Sequence, residues 1–409
     1  MNLLHSPFST VRFPHRLRPA TPRRRFFLVR SSLPFPNQNA KYHRELEAAV
    51  DAVERACRLC VDVKRSLFSS EGRILEKNDS TPVTVADFGV QALVSLELSK
   101  LFPTIPLVAE EDSGFLRSNN LVDSVVSVVT DEVSSGDKRL TNADVLEAID
   151  RGGKNDVVYG GRPATYWILD PIDGTKGFLK GSDALYVVGL ALVVEGEIVL
   201  GVMGCPNWDE AVSFTSTTDS RGVESMVPKS GIIMVAHAGC GTWARSLSDV
   251  VNGSANMPDG WTRCYVDGCG LVPEARFCIP DSQTWDLIPL SELFNATNDP
   301  NSVGEKKVLL LSGCCGSLCK YLMVASGRAT VFVLRARNER IIKAWDHAVG
   351  IICVREAGGK VTDWKGDQID LAADQVERRI IFPSGGVIVS NGKLHNQIVE
   401  MISSSFSTA

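Results

Sequence analysis

The chain has 409 residues, which is long enough for two domains of ordinary size with a sizeable buried core. A content of 44% hydrophobic and 22% charged residues is that of a soluble globular protein. No uninterrupted apolar run approaches the roughly 20 residues that a membrane-spanning helix needs, so we expect no such helix.

The first 42 residues differ in composition from the rest of the chain. They contain eight Arg and Lys residues, several Ser, Thr and Pro residues, and no acidic residue before Glu45. This composition predicts a disordered transit peptide over residues 1–42, addressed to the mitochondrion, with the plastid as the alternative. A basic arm that binds nucleic acid is the other interpretation. Without this segment, however, the formal net charge falls from −5 to −13, and so acidic a body has no electrostatic reason to bind nucleic acid.

The predicted body opens with two helices. Apolar residues recur at helical spacing from residue 43 to about residue 67. A polar, proline-containing loop over residues 77–84 follows, and it leads into a second helix that begins at Asp87. A carboxylate in a first helical turn interacts favourably with the helix dipole, so a purely structural role for Asp87 stays open at this point.

A short predicted strand over residues 105–109 is followed by three consecutive acids, Glu110, Glu111 and Asp112. Adjacent like charges repel each other unless they are solvated or meet a cation. Because a strand aims these side chains, we favour a cation. The interval from residue 113 to residue 162 is polar and contains one predicted helix, over residues 141–149, and we assign no chemistry to it.

The central stretch, residues 167–178, reads WILDPIDGTKGF. Its three apolar residues predict a buried strand that ends at Asp170, because the proline that follows has no N–H for a β-ladder. The chain should turn there and bring Asp173 next to Gly174 and Thr175, at the start of a short helix whose amides bind an anion. Carboxylates beside anion-binding amides indicate a cation between them, and Mg²⁺ typically uses one or two carboxylates with phosphate oxygens of the substrate. A capped turn with solvated carboxylates is the alternative.

Strands and helices alternate through the rest of the chain. Strands are predicted over residues 186–194, 198–203, 231–238, 308–311 and 329–334, and a helix over residues 317–326. A stretch rich in Ser, Thr, Gly and Pro around residues 216–230 marks the domain boundary. We therefore predict an N-terminal α+β domain over residues 43–225 and a C-terminal α/β domain over residues 226–409.

The last polar cluster, Lys343 to His347, opens a predicted helix that ends near residue 358. Within it, Asp346 is compatible with the helix dipole, and His347 has the plain alternative of an ordinary hydrogen-bonded side chain. The acidic residues of interest thus come from both halves of the chain.

Four separated segments resemble the motifs of the inositol monophosphatase and fructose bisphosphatase superfamily, the lithium-sensitive, magnesium-dependent phosphomonoesterases. They are Pro-Val-Thr-x-x-Asp at residues 82–87, VAEED at 108–112, DPIDGT at 170–175 and WDHAVGIICVREAGGKVTDWKG at 345–366. The four motifs stand in the family's order and extend over nearly all of residues 43–400. The resemblance implies a layered αβαβα sandwich of the α/β class, with the active site where the two domains meet.

The resemblance also implies a site for two or three Mg²⁺ ions. The ligands that it implies are Glu110, Asp170, the backbone carbonyl of Ile172, Asp173 and Asp346, with Asp170 bridging two ions. Asp87 and Thr175 would hold and activate the attacking water. The amides of Gly174 and Thr175 would bind the phosphate.

A further segment, Ser317-x-x-Lys320-Tyr321, resembles the 3′(2′),5′-bisphosphate nucleotidases, in which the Ser and the Lys grip the phosphates of a nucleotide. The resemblance implies that Ser317 and Lys320, together with Asp346, contact the substrate. The implied reaction is hydrolysis of the 3′-phosphate of 3′-phosphoadenosine 5′-phosphate (PAP) to AMP and phosphate. A solvated position on the helix is the plain alternative for Lys320.

Two departures from the nucleotidase pattern leave the substrate open. Trp285 stands where the family has His, so that the substrate contacts are rearranged or the indole stacks on adenine. An Arg that follows the strand of residues 329–334 falls one position late, at Arg335. Inositol phosphate or fructose bisphosphate hydrolysis is therefore an alternative, and a catalytically silent structural or regulatory member of the family is a second one. The sequence does not determine the oligomeric state.

Overall fold

The computed structural model describes residues 33–35, 41–69, 75–76, 82–83, 85–133, 140–153, 164–179, 184–209, 230–247, 260–302, 304–311, 316–336 and 341–406. The helices are α1 (His43–Ser69), α2 (Val85–Leu101), α3 (Ser113–Ser118), α4 (Val122–Val133), α5 (Asn142–Gly153), α6 (Thr175–Leu179), α7 (Leu318–Ala325), α8 (Ala348–Glu356) and α9 (His395–Phe406).

The strands up to the middle of the chain are β1 (Leu75–Glu76), β2 (Pro82–Val83), β3 (Leu107–Ala109), β4 (Thr165–Asp173), β5 (Val187–Val194), β6 (Glu197–Cys205), β7 (Ile232–His237), β8 (Gly241–Ser246) and β9 (Thr262–Cys264). The later ones are β10 (Arg276–Cys278), β11 (Asn295–Thr297), β12 (Lys307–Leu310), β13 (Val331–Arg335), β14 (Ile342–Lys343), β15 (Gly359–Asp363), β16 (Ile380–Ile381) and β17 (Gly386–Asn391).

Two large sheets organise the described residues. Strands β3 to β9 form a seven-stranded sheet in sequence order, parallel only between β3 and β4. The second sheet has six strands in the order β11-β12-β10-β13-β17-β15, with its first four strands parallel. Two short ribbons, β1-β2 and β14-β16, complete the strand pairing.

Helices cover both sheets and separate them. Helices α1 and α2 pack on each other and on β4, β5 and β6 of the seven-stranded sheet. Helices α7 and α8 contact that sheet on one side and the six-stranded sheet on the other, and α9 packs on the far side against β17. Buried apolar clusters fill each interface, as expected for stacked layers. The predicted αβαβα sandwich is confirmed. Within the described part of the chain, no helix combines the length and apolar character needed to cross a bilayer.

Proline 171 does not end the central strand, contrary to the sequence prediction. Strand β4 runs on to Asp173, and its pairing with β5 shifts register between Asp170 and Asp173. Pro171 lies inside this irregular step, where the missing N–H removes no regular ladder bond. The bulge keeps both carboxylates on one strand, and Gly174 then adopts a φ of 89° before α6 begins.

The interval after Asp112 contains more helix than predicted. Helices α3 and α4 precede the predicted helix α5, and a separate apolar cluster joins them to α2. Val125 and Val129 of α4 are fully buried there, one helical turn apart. The sequence interpretation treated this interval as polar and therefore missed the apolar stripe of α4.

The predicted division at residue 225 falls between strands of one sheet. Strands β3 to β6 precede it and β7 to β9 follow it, and all belong to the seven-stranded sheet. Most of the Ser- and Gly-rich stretch over residues 216–230 lies outside the described residues. The two-domain organisation therefore stays a prediction.

Part of the predicted leader packs against the folded body. Leu33, Phe35 and Tyr42 contact the apolar cluster beneath α1, and the ring of Phe35 lies 5.7 Å from that of His237. His237 also hydrogen bonds through Nε2 to the backbone carbonyl of Lys41. Residues 1–32 and 36–40 lie outside the described residues. We therefore expect any cleavage to occur before Leu33 rather than after residue 42.

A truncation series tests this boundary. A chain that begins at Ser32 should unfold at the same temperature as one that keeps the leader. A chain that begins at His43 should lose about 1 to 3 kcal/mol of unfolding free energy, because it lacks the partly buried Leu33 and Phe35 side chains. Thermal and urea unfolding of the three chains measures this difference. Equal stability of all three would show that the contacts of residues 33–42 are not stabilising.

Candidate active site

Asp170 is the centre of the site. Its side chain is only 2% exposed, and its Oδ1 atom has no hydrogen-bond partner. On the neighbouring strand β5 it faces Gly189, where a Cβ atom would lie 2.4 Å from a methyl group of Leu318. The missing side chain at Gly189 therefore lets the start of α7 approach the end of β4. A buried carboxylate with an unpartnered oxygen destabilises the folded protein unless a cation binds to it.

Two further carboxylates converge on Asp170. Oxygen atoms of Asp170, Asp173 and Asp346 all lie within 4.8 Å of one another, a spacing at which a single cation could bind all three. Asp346 comes from the turn that precedes α8, two residues before the helix begins. The structure thus brings together acids that are 176 positions apart in the sequence.

The electrostatic environment of Asp170 includes the remaining predicted acids. Burial raises its pKa well above the usual value, and the nearby charges of Asp173, Glu110, Asp346 and Asp87 raise it further, in that order. Several carboxylates in one buried site fit a hard divalent cation bound by oxygen ligands. The same carboxylates without a cation would repel one another, so the arrangement favours a cation site over an ion-free cluster.

Asp173 also anchors the start of α7. Its two oxygens accept hydrogen bonds from the backbone amides of Ser317, at 3.0 Å, and Leu318, at 2.6 Å. Burial raises the pKa of Asp173 to about 7, although these amides and the charge of Lys320 oppose the shift. A Cβ atom at Gly316 would lie 2.3 Å from the Asp173 carboxylate, so only glycine permits this contact.

Asp87 and Thr175 lie at the starts of two helices. Asp87 is 2% exposed in the first turn of α2, and Thr175 is the first residue of α6. The Thr175 hydroxyl donates to the backbone carbonyl of Ile172 at 3.2 Å. This bond places the hydroxyl beside the carbonyl that the sequence predicted as a metal ligand. The water-activating role of Asp87 and Thr175 stays a prediction.

Gln91 fixes the segment that carries Glu110. It is fully buried one helical turn after Asp87, and its amide oxygen accepts from the Glu111 N–H at 2.8 Å. Its amide nitrogen donates to the Glu111 carbonyl at 2.6 Å and to the Ile149 carbonyl at 2.8 Å. The helix of Asp87 and the strand end of Glu110 are therefore joined by a single side chain.

The predicted nucleotide contacts lie next to this cluster. Lys320 is 1% exposed, its Nζ atom donates to the Gly316 carbonyl at 2.9 Å, and Asp281 lies 3.9 Å away. A solvated helix position for Lys320 is therefore wrong. Ser317 is half-buried directly before α7, with its amide on Asp173.

The side chains of Trp285 and His347 are held in the protein interior by packing and hydrogen bonds. Trp285 is 7% exposed, its indole N–H donates to the Phe294 carbonyl at 2.8 Å, and it packs edge-on against Phe277. Stacking of Trp285 on adenine is therefore wrong, because its ring belongs to an apolar core. His347 is buried and hydrogen bonds to the Tyr321 hydroxyl at 2.8 Å. Burial lowers the pKa of His347 to about 3, which keeps the ring neutral.

Sequence reasoning missed Gln91, Gly316 and Asp281. The spacing of four between Asp87 and Gln91 places both on one face of α2 and was an available signal. The contacts of Gly316 and Asp281 join segments that are distant in sequence and left no local pattern. The plain alternative for His347 is confirmed by its hydrogen bond.

Comparisons with known proteins identify the family of this chain. The model of the inositol monophosphatase family matches residues 43–225 and 283–406. A protein of Arabidopsis thaliana, named as a candidate mitochondrial 3′(2′),5′-bisphosphate nucleotidase, is 64% identical over 403 residues and covers 98% of both chains. The 3′,5′-bisphosphate nucleotidase AHL of the same plant is 34% identical, over 89% of this chain and 97% of its own.

A solved structure supports the fold alone. The IMPase of Thermotoga maritima superposes with a TM-score of 0.52 at 20% identity, and the match covers 89% of this chain and 99% of that one. Its layered arrangement of sheets and helices agrees with that of the described residues. From the family match, the two plant relatives and this fold, the chain belongs to the inositol monophosphatase family.

Proposed function

We propose that this chain is a Mg²⁺-dependent phosphomonoesterase that converts PAP to AMP and inorganic phosphate. The observation that carries the proposal is the buried Asp170 carboxylate, which has an unpartnered oxygen and lies among acids from three other segments. The names of the two plant relatives support a bisphosphate nucleotide as the substrate.

The metal ligands in this proposal are those that the resemblance implies. Glu110, Asp170 and the Ile172 carbonyl would hold one ion, and Asp170 with Asp173 and Asp346 a second. Bound divalent ions supply Lewis-acid chemistry, because they offset the charge of the phosphate oxygens and of the departing alkoxide. The carboxylate oxygens of the chain would hold these ions and would favour hard cations over softer ones.

The chain's own groups position and deprotonate the attacking water. Thr175 presents its hydroxyl oxygen beside the Ile172 carbonyl, and Asp87 supplies a buried carboxylate that accepts a proton. The first amides of α6, at Gly174 and Thr175, have no partner within a helix and would donate to the phosphate. These groups together favour attack on a phosphorus atom held at the helix start.

Substrate selection is assigned to the start of α7. A Lys held in a buried position is a fixed positive charge, which suits the 5′-phosphate of a nucleotide. Ser317 would donate a hydrogen bond to the same phosphate, and Asp346 would contact the sugar side of the substrate. An inositol phosphate with a single phosphate offers no second phosphate group for Lys320 to bind.

Phosphate release from a substrate panel tests the proposal. The panel is PAP, adenosine 3′-phosphate, inositol 1-phosphate and fructose 1,6-bisphosphate, each with Mg²⁺, with EDTA, and with Mg²⁺ plus Li⁺. We expect PAP to exceed the inositol and sugar phosphates in kcat/KM by at least about a hundredfold. Adenosine 3′-phosphate should lie between them through a raised KM, because it lacks the group that Lys320 binds.

The panel separates the alternatives. If inositol 1-phosphate or fructose 1,6-bisphosphate is hydrolysed faster than PAP, that compound and not PAP is the substrate. No release from any compound with Mg²⁺ would identify a catalytically silent member of the family. The Asp170→Asn chain, purified in parallel, controls for contaminating phosphatase.

The cellular location is proposed from the leader and from one relative. The basic segment before Leu33 is typical of organelle import, and the plant relative with 64% identity is named mitochondrial. We therefore assign the chain to the mitochondrion, with the plastid as the alternative. Import of a fluorescent fusion of residues 1–60 into isolated organelles distinguishes the two.

A further inference from the structure

Arg379 joins two segments that each carry a predicted metal ligand. Its Nη2 atom lies 2.9 Å from the carbonyl oxygen of Ala109, the last residue of β3 and the neighbour of Glu110. The same nitrogen reaches the carbonyls of Gly152, at 2.9 Å, and Gly153, at 2.5 Å. Three backbone carbonyls therefore share the two hydrogens of one guanidinium nitrogen.

The two glycines are the end of α5, and their carbonyls have no partner within that helix. A guanidinium is well placed there, because a helix carboxyl end carries partial negative charge. Cβ atoms at Gly152 and Gly153 would lie 2.9 Å from the Ala109 side chain and 1.6 Å from the Glu111 carbonyl oxygen. The end of α5 is thus packed directly on the segment of Glu110, with Arg379 bonded to both.

On its other side Arg379 holds the segment of Asp346. The guanidinium lies over the indole of Trp345, 5.4 Å from the ring centroid, and Trp345 directly precedes Asp346. The Arg379 carbonyl also accepts from the Ala344 N–H at 2.8 Å, in line with the pairing of Lys343 and Ile380 in the β14-β16 ribbon. One residue therefore contacts the neighbours of two ligands that are 236 positions apart in the sequence.

Arg379 itself is fixed by a capped turn. The Asp374 carboxylate accepts from the Arg379 N–H at 2.9 Å and from the N–H groups of Val376 and Glu377. Gln91 of α2 also holds the Glu110 segment, through hydrogen bonds to the N–H and the carbonyl of Glu111. The segment of Glu110 is thus held between α2 and Arg379, and Arg379 connects it to the segment of Asp346.

We propose that Arg379 is a positioning residue that sets the separation of Glu110 and Asp346 and thereby the affinity of the acidic cluster for its divalent cation. The inference rests on the proposed function, because it takes both acids as ligands. In this role Arg379 acts through Ala109 and Trp345 and is not itself a metal ligand. A positive charge near acids weakens cation binding, so its benefit is geometric rather than electrostatic.

Arg379→Lys separates geometry from charge. Lysine keeps the positive charge but lacks the planar guanidinium, which lies over the Trp345 indole while its Nη2 atom reaches the carbonyls. We expect the full-length Arg379→Lys chain to bind Mn²⁺ about 10 to 100 times more weakly than the wild type, measured by electron paramagnetic resonance without substrate. Saturating Mg²⁺ should restore most of its kcat, with the KM for PAP unchanged.

Arg263→Lys is the matched control. Arg263 on β9 also donates to a backbone carbonyl, that of Cys240 at 2.6 Å, and its guanidinium lies over the Trp243 indole at 5.2 Å. It occupies the opposite edge of the seven-stranded sheet from β3. This substitution should lower the melting temperature without changing Mn²⁺ affinity.

Four outcomes would overturn the proposal in different ways. Unchanged Mn²⁺ affinity in Arg379→Lys, with a melting temperature lowered as in Arg263→Lys, would make Arg379 a structural residue only. Equal loss of Mn²⁺ affinity in both variants would show a general effect of stability. A wild-type chain that binds no Mn²⁺ would reject the proposed function itself. If Arg379→Lys does not fold, Trp345→Leu removes the indole under the guanidinium and keeps an apolar side chain at this buried position. It should weaken Mn²⁺ binding in the same direction, and unchanged affinity there also rejects the proposal.

Discussion

Replacing Asp170 with Asn should abolish turnover and at the same time stabilise the metal-free protein. The loss of activity, at least about a thousandfold in kcat, follows because one shared carboxylate would serve two ions in the proposed site. The stability gain follows from the buried, unpartnered Oδ1 atom and from the acids around it. An Asn amide is neutral and can donate hydrogen bonds to those neighbouring carboxylates.

The sign of the stability effect depends on pH. A carboxyl group whose pKa is raised on folding penalises the folded state at pH values above its unfolded pKa, and it imposes no penalty below that value. Burial and neighbouring charges raise the pKa of Asp170 in the folded chain. In EDTA, Asp170→Asn should therefore gain about 1 to 3 kcal/mol at pH 8 and nothing near pH 4. Urea unfolding at both pH values measures the difference.

Adding Mg²⁺ should reverse the ranking of the two proteins. The wild type gains stability in proportion to cation binding, whereas Asp170→Asn should show little response. Asp363→Asn is the matched control, because the Asp363 carboxylate is also buried but accepts hydrogen bonds from three backbone amides. That substitution should destabilise the metal-free protein and leave the Mg²⁺ response intact. A loss of metal-free stability in Asp170→Asn would contradict a cation site built around it.

The sequence predicted the layered fold and the acids because each acid has a local signal. Glu110 follows an apolar strand and Asp87 lies in the first turn of an apolar helix, and the structure has strand β3 and helix α2 at these positions. The central strand is the instructive exception. A proline without an N–H group predicts a stop, but a register shift in the sheet absorbs it, and that shift depends on the partner strand β5.

Contacts between distant segments could not be predicted. The bonds of Arg379 to Ala109 and Gly152 span 270 and 227 positions, and the residues around Arg379 carry no periodic pattern that would indicate them. Trp285 shows the opposite error. An aromatic residue at an aligned substrate position left stacking on a base as one of two interpretations, whereas the indole packs in an apolar core formed largely by distant strands and by helix α9.

Asp87→Asn should lower kcat by about 10² to 10⁴ while Mn²⁺ affinity and the melting temperature stay close to those of the wild type. In the proposed mechanism Asp87 accepts a proton from the water held at the Thr175 hydroxyl, and an amide cannot accept that proton. Thr175→Val should lower kcat similarly, and the double variant should be no slower than either single one, because the two groups act as a unit. Pre-steady-state phosphate release with saturating Mg²⁺ measures all three.

A structural role for Asp87 predicts a different result. A carboxylate in a first helical turn stabilises its helix by about 0.3 to 1 kcal/mol through the dipole, and this would be the whole effect of the substitution. Asp144→Asn provides the comparison, because Asp144 lies in the first turn of α5 and its carboxylate binds the Thr141 amide and hydroxyl. If Asp87→Asn lowers the melting temperature as Asp144→Asn does and leaves kcat unchanged, the dipole explanation suffices. A loss of kcat without a loss of stability requires that the Asp87 carboxylate act on the substrate or its water, because Asn preserves the shape of the side chain and removes only its charge.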